Sequence, residues 1–306
     1  MGIVRIFFTK RKKENINIMK RKLFLLSSFI LLGVCCLSAQ TTIQFKTVKQ
    51  VSHYITNTTG ESAYGDGRVY NGLKFETEFL WPVGGLPANK LRTFRQCVLR
   101  ACASEQVTRA QMANVDEANF PNLLHAALVK EYRTEGVCMD SDQKLHYVTA
   151  AQLPKNVELS ESVIKMEHKR TKNGVCTMFF HGWDFCIGAA HGMHGTWTLN
   201  YDINANKQLF LRDLLQSGKA AEINRSFCAI VNRWRNTNGY SDYDEPYSEP
   251  RDFNDKYGWY INNEGIVFLF QPYEIAPFSE GVVEITLPVK RYKHLFRPEA
   301  LKYWNL

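Results

Sequence analysis

Four signatures of common chemistry are missing from this sequence: there is no HExxH helix, no GxSxG elbow, no DxDxDG loop and no CxxC pair. Their absence removes the usual sequence grounds for a zinc protease, a serine hydrolase of the α/β type, an EF-hand and a dithiol redox centre. Long apolar runs are scarce too. Only Leu23–Val34 stands out, and twelve residues at ~1.5 Å rise cannot cross a hydrocarbon core ~30 Å thick as a helix. Basic charge is the next apparent feature to dissolve. The formal charge is +8, but Arg5, Lys10, Arg11, Lys12, Lys13, Lys20, Arg21 and Lys22 all precede residue 40, where Glu14 is the single acid. Without them 30 basic and 29 acidic residues remain, a net charge of +1, so the folded part offers no basic face for nucleic acid.

What the first forty residues do contain is an export signal. MKRKLF from Met19 is a basic n-region, Leu23–Val34 an h-region, and CLSA ends it at small residues, so cleavage is expected after Ala39 with a mature chain from Gln40. The runner-up is lipidation at Cys35 or Cys36, disfavoured by Val34 and Cys35 in the preceding position. Met1–Ile18 reads as an upstream misassigned start or an extended n-region. The protein is therefore expected in the periplasm or outside the cell, with no membrane-spanning helix after processing. Six cysteines remain, Cys97, Cys102, Cys138, Cys176, Cys186 and Cys228. In an exported chain an even number permits disulfides; buried free thiols are the equal alternative. Cys97 and Cys102, five apart on one helix, face different ways and are not expected to pair.

The remaining 267 residues are 40–306, with no internal repeat and no low-complexity linker. TTIQFKTVKQVSHYIT and LKFETEFLWPV (73–83) alternate as a hairpin around the turn-rich GESAYGDGRVYNG. A helix follows with Asn89 as its cap and Leu91, Phe94, Val98, Ala101 and Cys102 at helical spacing. A second is expected near Phe120–Arg133, with Pro121 in its first turn. Period-two runs then cover 156–171, 175–187 and 195–203, joined by the turns KNG (172–174) and NANK (204–207). A strongly amphipathic helix is expected at Lys219–Arg235, then a polar loop at 240–258 and two closing strands around QPYEIAPFSE. The fold class is α+β: antiparallel sheets packed against helices, in two subdomains, 40–205 and 206–306, that form one compact unit.

Three constellations carry candidate chemistry. His181, His191 and His194 are the metal candidates, but three-residue spacing along a strand sends His191 and His194 to opposite faces, and zinc needs three or four converging donors. No metal and no cofactor is expected. Gly188, Gly192 and Gly195 instead permit a tight bend that His191 fixes. Glu274, in the otherwise apolar PYEIAPF, is a possible acid catalyst with His191; a structural carboxylate bonded to backbone N–H groups or a histidine is the preferred reading. The acidic loop Asp242–Asp255 lacks calcium order, while its tyrosines, with Trp183 and Trp197, are rings that a sugar or protein partner could use.

Two runs also resemble a known family. GAAHGMHGTWTLNYDINANKQLFLRDLL (188–215) and WYINNEGIVFLFQPYEIAPFSEGVVEITLP (259–288) resemble the DUF3298 pattern of exported proteins similar to RsiV-type anti-sigma factors and the non-catalytic part of PdaC-type deacetylases. The resemblance spans about 150–306; residues 40–150 match the PdaC/DUF4163-like partner domain more loosely. Gly188, His191, Gly192, Tyr273, Glu274, Pro277 and Gly281 match motif positions, and Ala189 stands where a second glycine is common. The resemblance implies an extracytoplasmic protein that acts by binding, in RsiV-type proteins to lysozyme. Neither a cytoplasmic sigma-binding segment nor a deacetylase catalytic domain is recognisable, so neither activity is expected. The function expected is a non-catalytic cell-envelope protein recognising a wall fragment or a lysozyme-like enzyme. The alternatives are a wall hydrolase using Glu274 and His191, or a structural envelope protein without a small ligand.

Overall fold

The computed structural model describes residues 42–306 apart from 66, 104–107, 117, 136–144, 172 and 242–257. The expected leader with its candidate cleavage and lipidation sites, Cys138, Lys172 of the KNG turn and the acidic loop Asp242–Asp255 lie outside the described residues. Residues Gln44–Leu306 make one compact unit.

The hairpin pairs β1 (Gln44–Glu61) with β2 (Arg68–Gly84). Both strands run well into the segment expected to be turn. Cross-strand pairing carries Thr59, Gly60 and Glu61 through a register shift after Ile55, and Arg68 Nε donates to Thr59 Oγ1 at 3.2 Å. Alternation on β2 buries Leu73, Phe75, Thr77, Phe79 and Trp81 on one face. Helices α1 (Ala88–Ala103) and α2 (Phe120–Glu135) cover that face. Phe120 stacks on Trp81 at 4.1 Å, and Phe94 of α1 meets Tyr201 at 4.6 Å. Helix α1 begins one residue before Asn89, so Asn89 lies within it and does not cap it.

After β3 (Leu145–Val148), which pairs with β1, come β4 (Val157–Arg170), β5 (Val175–Phe185), β6 (Met193–Asp202) and β7 (Lys207–Leu209). The seven-stranded order is β3-β1-β2-β4-β5-β6-β7. Every pair is antiparallel except β2 with β4, which is parallel. That join is parallel because the connection from β2 passes through α1, a short helix at Arg109–Ala113, α2 and β3, long enough to return the chain in the same direction.

Helix α3 (Ala220–Thr237) and a second sheet complete the unit, with β8 (Trp259–Ile261), β9 (Gly265–Phe270) and β10 (Val283–Pro288) in the order β10-β9-β8. Phe227 of α3 packs on Phe268 and Phe270 at 4.6 and 5.8 Å. On the other face of that sheet Tyr260, Val267 and Leu269 cluster with Phe179 of β5. The small sheet is thus sandwiched between α3 and the large one. Polar bonds fix the contact: Thr198 Oγ1 accepts the Trp259 N–H at 2.9 Å and donates to Trp259 O, and Asn200 Nδ2 donates to the same carbonyl at 2.6 Å. Thr177 Oγ1 in turn donates to Asn200 Oδ1 at 2.7 Å.

Cys97, Cys102 and Cys176 are buried thiols outside any disulfide and Cys228 a half-buried one, while Cys186 is disulfide-bonded. Burial pushes the Cys97 and Cys102 thiols up, which keeps them protonated and unreactive.

One buried titratable group tests the packing of α2 on the sheet. His125 is 3% exposed, with Ser52 Oγ 3.0 Å from Nδ1 and Thr77 Oγ1 2.9 Å from Nε2. Burial holds its pKa down to about 4. An unfolded histidine titrates near ~6.5, so between there and pH 4 the unfolded chain takes up a proton that the folded chain refuses. The contribution of His125 is complete above pH ~6.5 and declines on acidification, by about 2–3 kcal/mol between pH 7 and 4.5. Urea melts of the wild type and His125→Gln at those two pH values should show the wild-type advantage shrinking by that amount; a constant difference would refute the assignment.

Candidate functional site

Successive residues of a strand face opposite ways, and β5 and β6 use this to separate packing from surface. Phe180 pairs with Trp197; their rings stack at 5.5 Å, and Trp197 Nε1 donates to Ala101 O of α1 at 3.1 Å. Trp197 is therefore engaged with the helices. The pairs His181–Thr196 and Trp183–His194 face the other way. His181 Nδ1 lies 3.0 Å from Thr196 Oγ1.

The stretch before β6 is a bend. Strand geometry begins only at Met193, so His191 escapes the alternation that would have opposed it to His194, and both rings meet Phe278, at 4.4 and 5.0 Å. That corrects the opposite-face expectation. A Cβ at Gly192 would lie 2.6–2.8 Å from the Trp183 indole, closer than real atoms approach, so glycine lets the backbone lie against the ring. His191 Nδ1 is 2.9 Å from Gly192 O. A carbonyl only accepts, so in the neutral ring Nδ1 carries the proton and Nε2 is left as acceptor. Tyr273 Oη sits 3.3 Å from that Nε2 and donates to it.

Tyr273 arrives on a turn at the end of β9. Glu274 N–H donates to Gln271 O at 3.0 Å, closing a four-residue turn with Pro272 and Tyr273 in the middle. Tyr273 has φ +69°, the position where a type II turn favours glycine. Glu274 Oε2 accepts the Gln271 N–H at 2.7 Å, and the Gln271 amide clamps Thr196 of β6: Nε2 donates to Thr196 O and Oε1 accepts from Thr196 N, both at 2.8 Å. Glu274 is exposed, whereas its neighbours Ile275 and Ala276 are each 3% exposed. The expected carboxylate in apolar surroundings is thus an exposed turn brace. Pro277 precedes the short turn Phe278–Glu280, which Gly281 ends at φ +66°, ψ −143°, backbone that only glycine adopts readily. Tyr240, just beyond α3, donates to Glu280, and that bond pushes the Tyr240 phenol up.

Of the seven motif residues, His191 and Tyr273 touch each other. Gly192, Glu274, Pro277 and Gly281 shape the two segments that bring them together. Gly188, at φ +81°, starts the bend, and a Cβ there would meet the Ala63 Cβ at 3.5 Å. Among the described residues no three His, Cys, Asp or Glu side chains are placed to hold a metal ion, and no helix is long and apolar enough to cross a membrane. Phe278 and Gln271 were missed as site-forming residues, and Trp183, named as a candidate partner-binding ring, instead backs the bend at Gly192. Phe278 and Gln271 both stand in the quoted QPYEIAPFSE, where a glutamine before the turn proline and an aromatic after its second proline were the available signals.

Comparisons with known proteins agree with this architecture. The family model DUF3298, described as a protein of unknown function, matches residues 212–290. A solved DUF3298-family member from Bacteroides fragilis has a similar fold, with TM-score 0.57 and 17% identity over 86% of this chain and 98% of the other. A DUF3298-family protein from Pseudomonas aeruginosa gives 0.50 and 16% over 84% and 96%. Among curated proteins none matches significantly. The matched segment contains Tyr273 and Phe278 but not His191, so the ring group joins the domain to residues that precede it.

Two substitutions test this geometry by denaturant melts. Tyr273→Gly exchanges ring contacts for relief of the left-handed backbone and should shift stability by less than about 1 kcal/mol, whereas Tyr273→Val should lower it by about 1–3 kcal/mol. Gly192→Ala should cost about 1–3 kcal/mol through collision with Trp183.

Proposed function

We propose that the chain is an exported, non-catalytic binding protein of the cell envelope, recognising a wall component or a wall-degrading enzyme such as lysozyme. The observation that carries this reading is Tyr273: a side chain 47% exposed on left-handed backbone, supported by three hydrogen-bonded contacts around its turn. Strain of this kind costs about 1–3 kcal/mol and collects where a protein presents a group for function. An exposed tyrosine beside a histidine and a phenylalanine is a recognition surface in chemistry and in residue type. The Cys186 disulfide fits an oxidising compartment, in keeping with the leader read from the sequence. The resemblance to RsiV-type proteins and to PdaC-type partner domains supplies lysozyme and wall material as candidates.

Hydrolysis through Glu274 and His191 has less support. Glu274 Oε2 is engaged by the Gln271 N–H and His191 Nδ1 by Gly192 O, so both groups have structural work. Calorimetric titration of the purified protein with lysozyme and with muropeptides should give binding to at least one, weakened about tenfold by Tyr273→Gly. No heat from either at concentrations up to about millimolar would refute the reading.

A further inference from the structure

The segment from Gln271 to Gly281 sorts its side chains by type. Its aliphatic residues Ile275 and Ala276 go to the core, while Tyr273 is exposed and Phe278 half-buried. Phe278 lies 4.4 Å from His191 and 5.7 Å from Tyr273, with ring planes 35° and 32° apart, tilted toward one another and not interdigitated. Ser279 and Glu274, both exposed, follow Phe278 and Tyr273 in the chain.

Size and charge choose the occupant. An aromatic side chain buries ~150–250 Å² when fully covered, so three partly exposed rings offer about 300 Å². A standard protein interface needs ~800 Å² from each partner. Neither 188–195 nor 271–281 contains a lysine or arginine, and the acids there are Glu274 and Glu280, so phosphate- or sulfate-bearing polymers meet no cation in either segment. An uncharged pyranose fits both limits: its C–H face, polarised by neighbouring oxygens, lies against electron-rich rings, and its hydroxyls reach a polar rim.

We infer that the His191–Tyr273–Phe278 patch is a subsite for one or two pyranose rings of an uncharged saccharide, stacked on Tyr273 and Phe278. This rests on the binding function proposed above and names its ligand class. The Tyr273 ring does the stacking; its hydroxyl is occupied by His191 Nε2.

The test is saturation-transfer NMR and titration of the purified protein with tetra-N-acetylchitotetraose, with a parallel titration by lysozyme. Saccharide binding should weaken at least about tenfold in Tyr273→Gly and change by less than about twofold in Tyr273→Phe. Thermal melts confirm that both variants fold. Lysozyme binding without saccharide binding would overturn the saccharide assignment and leave the binding function standing. Silence from both saccharide and lysozyme, with muropeptides also inert, would overturn both. Undiminished saccharide binding by Tyr273→Gly and Phe278→Ala would place the sugar elsewhere and refute the subsite.

Discussion

Strand β6 meets the small sheet through side chains that stand in for a missing strand. β8 is the edge of its sheet, and the Trp259 N–H and C=O that point toward β6 are satisfied by Thr198 and Asn200. Two residues further back along β6, the Gln271 amide completes the pattern by gripping both backbone groups of Thr196, as a peptide unit on a neighbouring strand would. Polar backbone left unpaired in a buried join costs about 1–3 kcal/mol per group, which makes these contacts specific. Apolar packing of Phe179 against Tyr260, Val267 and Leu269 brings the sheets together, but it does not by itself fix their relative position. The amide and hydroxyl bonds do.

That constraint also places the surface proposed for recognition. Because Gln271 is both the clamp on β6 and the first residue of the turn, anchoring the sheets also places Tyr273, two residues on. The bend before β6 is anchored independently, by Gly192 against Trp183, and presents His191 to the Tyr273 hydroxyl. The Tyr273–His191 contact therefore bridges two segments whose positions are set by bonds elsewhere. The ring group is not a cluster that assembles by its own attraction; it is preorganised, and a ligand need not supply the ordering cost.

Much of this was legible in the sequence, and the failures have identifiable physics. Period-two alternation located β4, β5 and β6, although burial alternates only along β4; Val175–Phe180 of β5 and Leu199–Asp202 of β6 are buried on both faces, between the helices and the small sheet. It also located the hairpin, though not its length: residues 60–61 and 68–72 read as turn by composition, and only cross-strand pairing makes them strand. The parallel join of β2 to β4 is a property of the crossover between them, which local patterning does not encode. At the site, the glycine–histidine bend and the PYE turn were both visible, yet His191 and His194 were set on opposite faces by assuming strand where the chain still bends. Glu274 was read as carboxylate amid apolar residues because the neighbours are apolar. Their side chains turn inward and the carboxylate turns out, a distinction that rests on the turn geometry and not on composition.

The arrangement also separates the proposed recognition from stability. Tyr273 and His191 are exposed, and their backbone positions are held by Gln271, Glu274 and Gly192, so either ring can change without opening the core. Phe278 is the intermediate case, half-buried and in contact with both rings and with His194. Gln271 has the opposite character: it meets no ligand in this account, yet its loss would release Thr196 and the turn together. On the proposed binding function, the residues that would set what is bound and those that set where the surface sits are different, although all fall within 188–195 and 271–281 apart from Trp183. Preserving the turn and the bend while varying the rings would retune the ligand on an unchanged scaffold, because the exchange alters exposed contact area and leaves the join between the sheets intact.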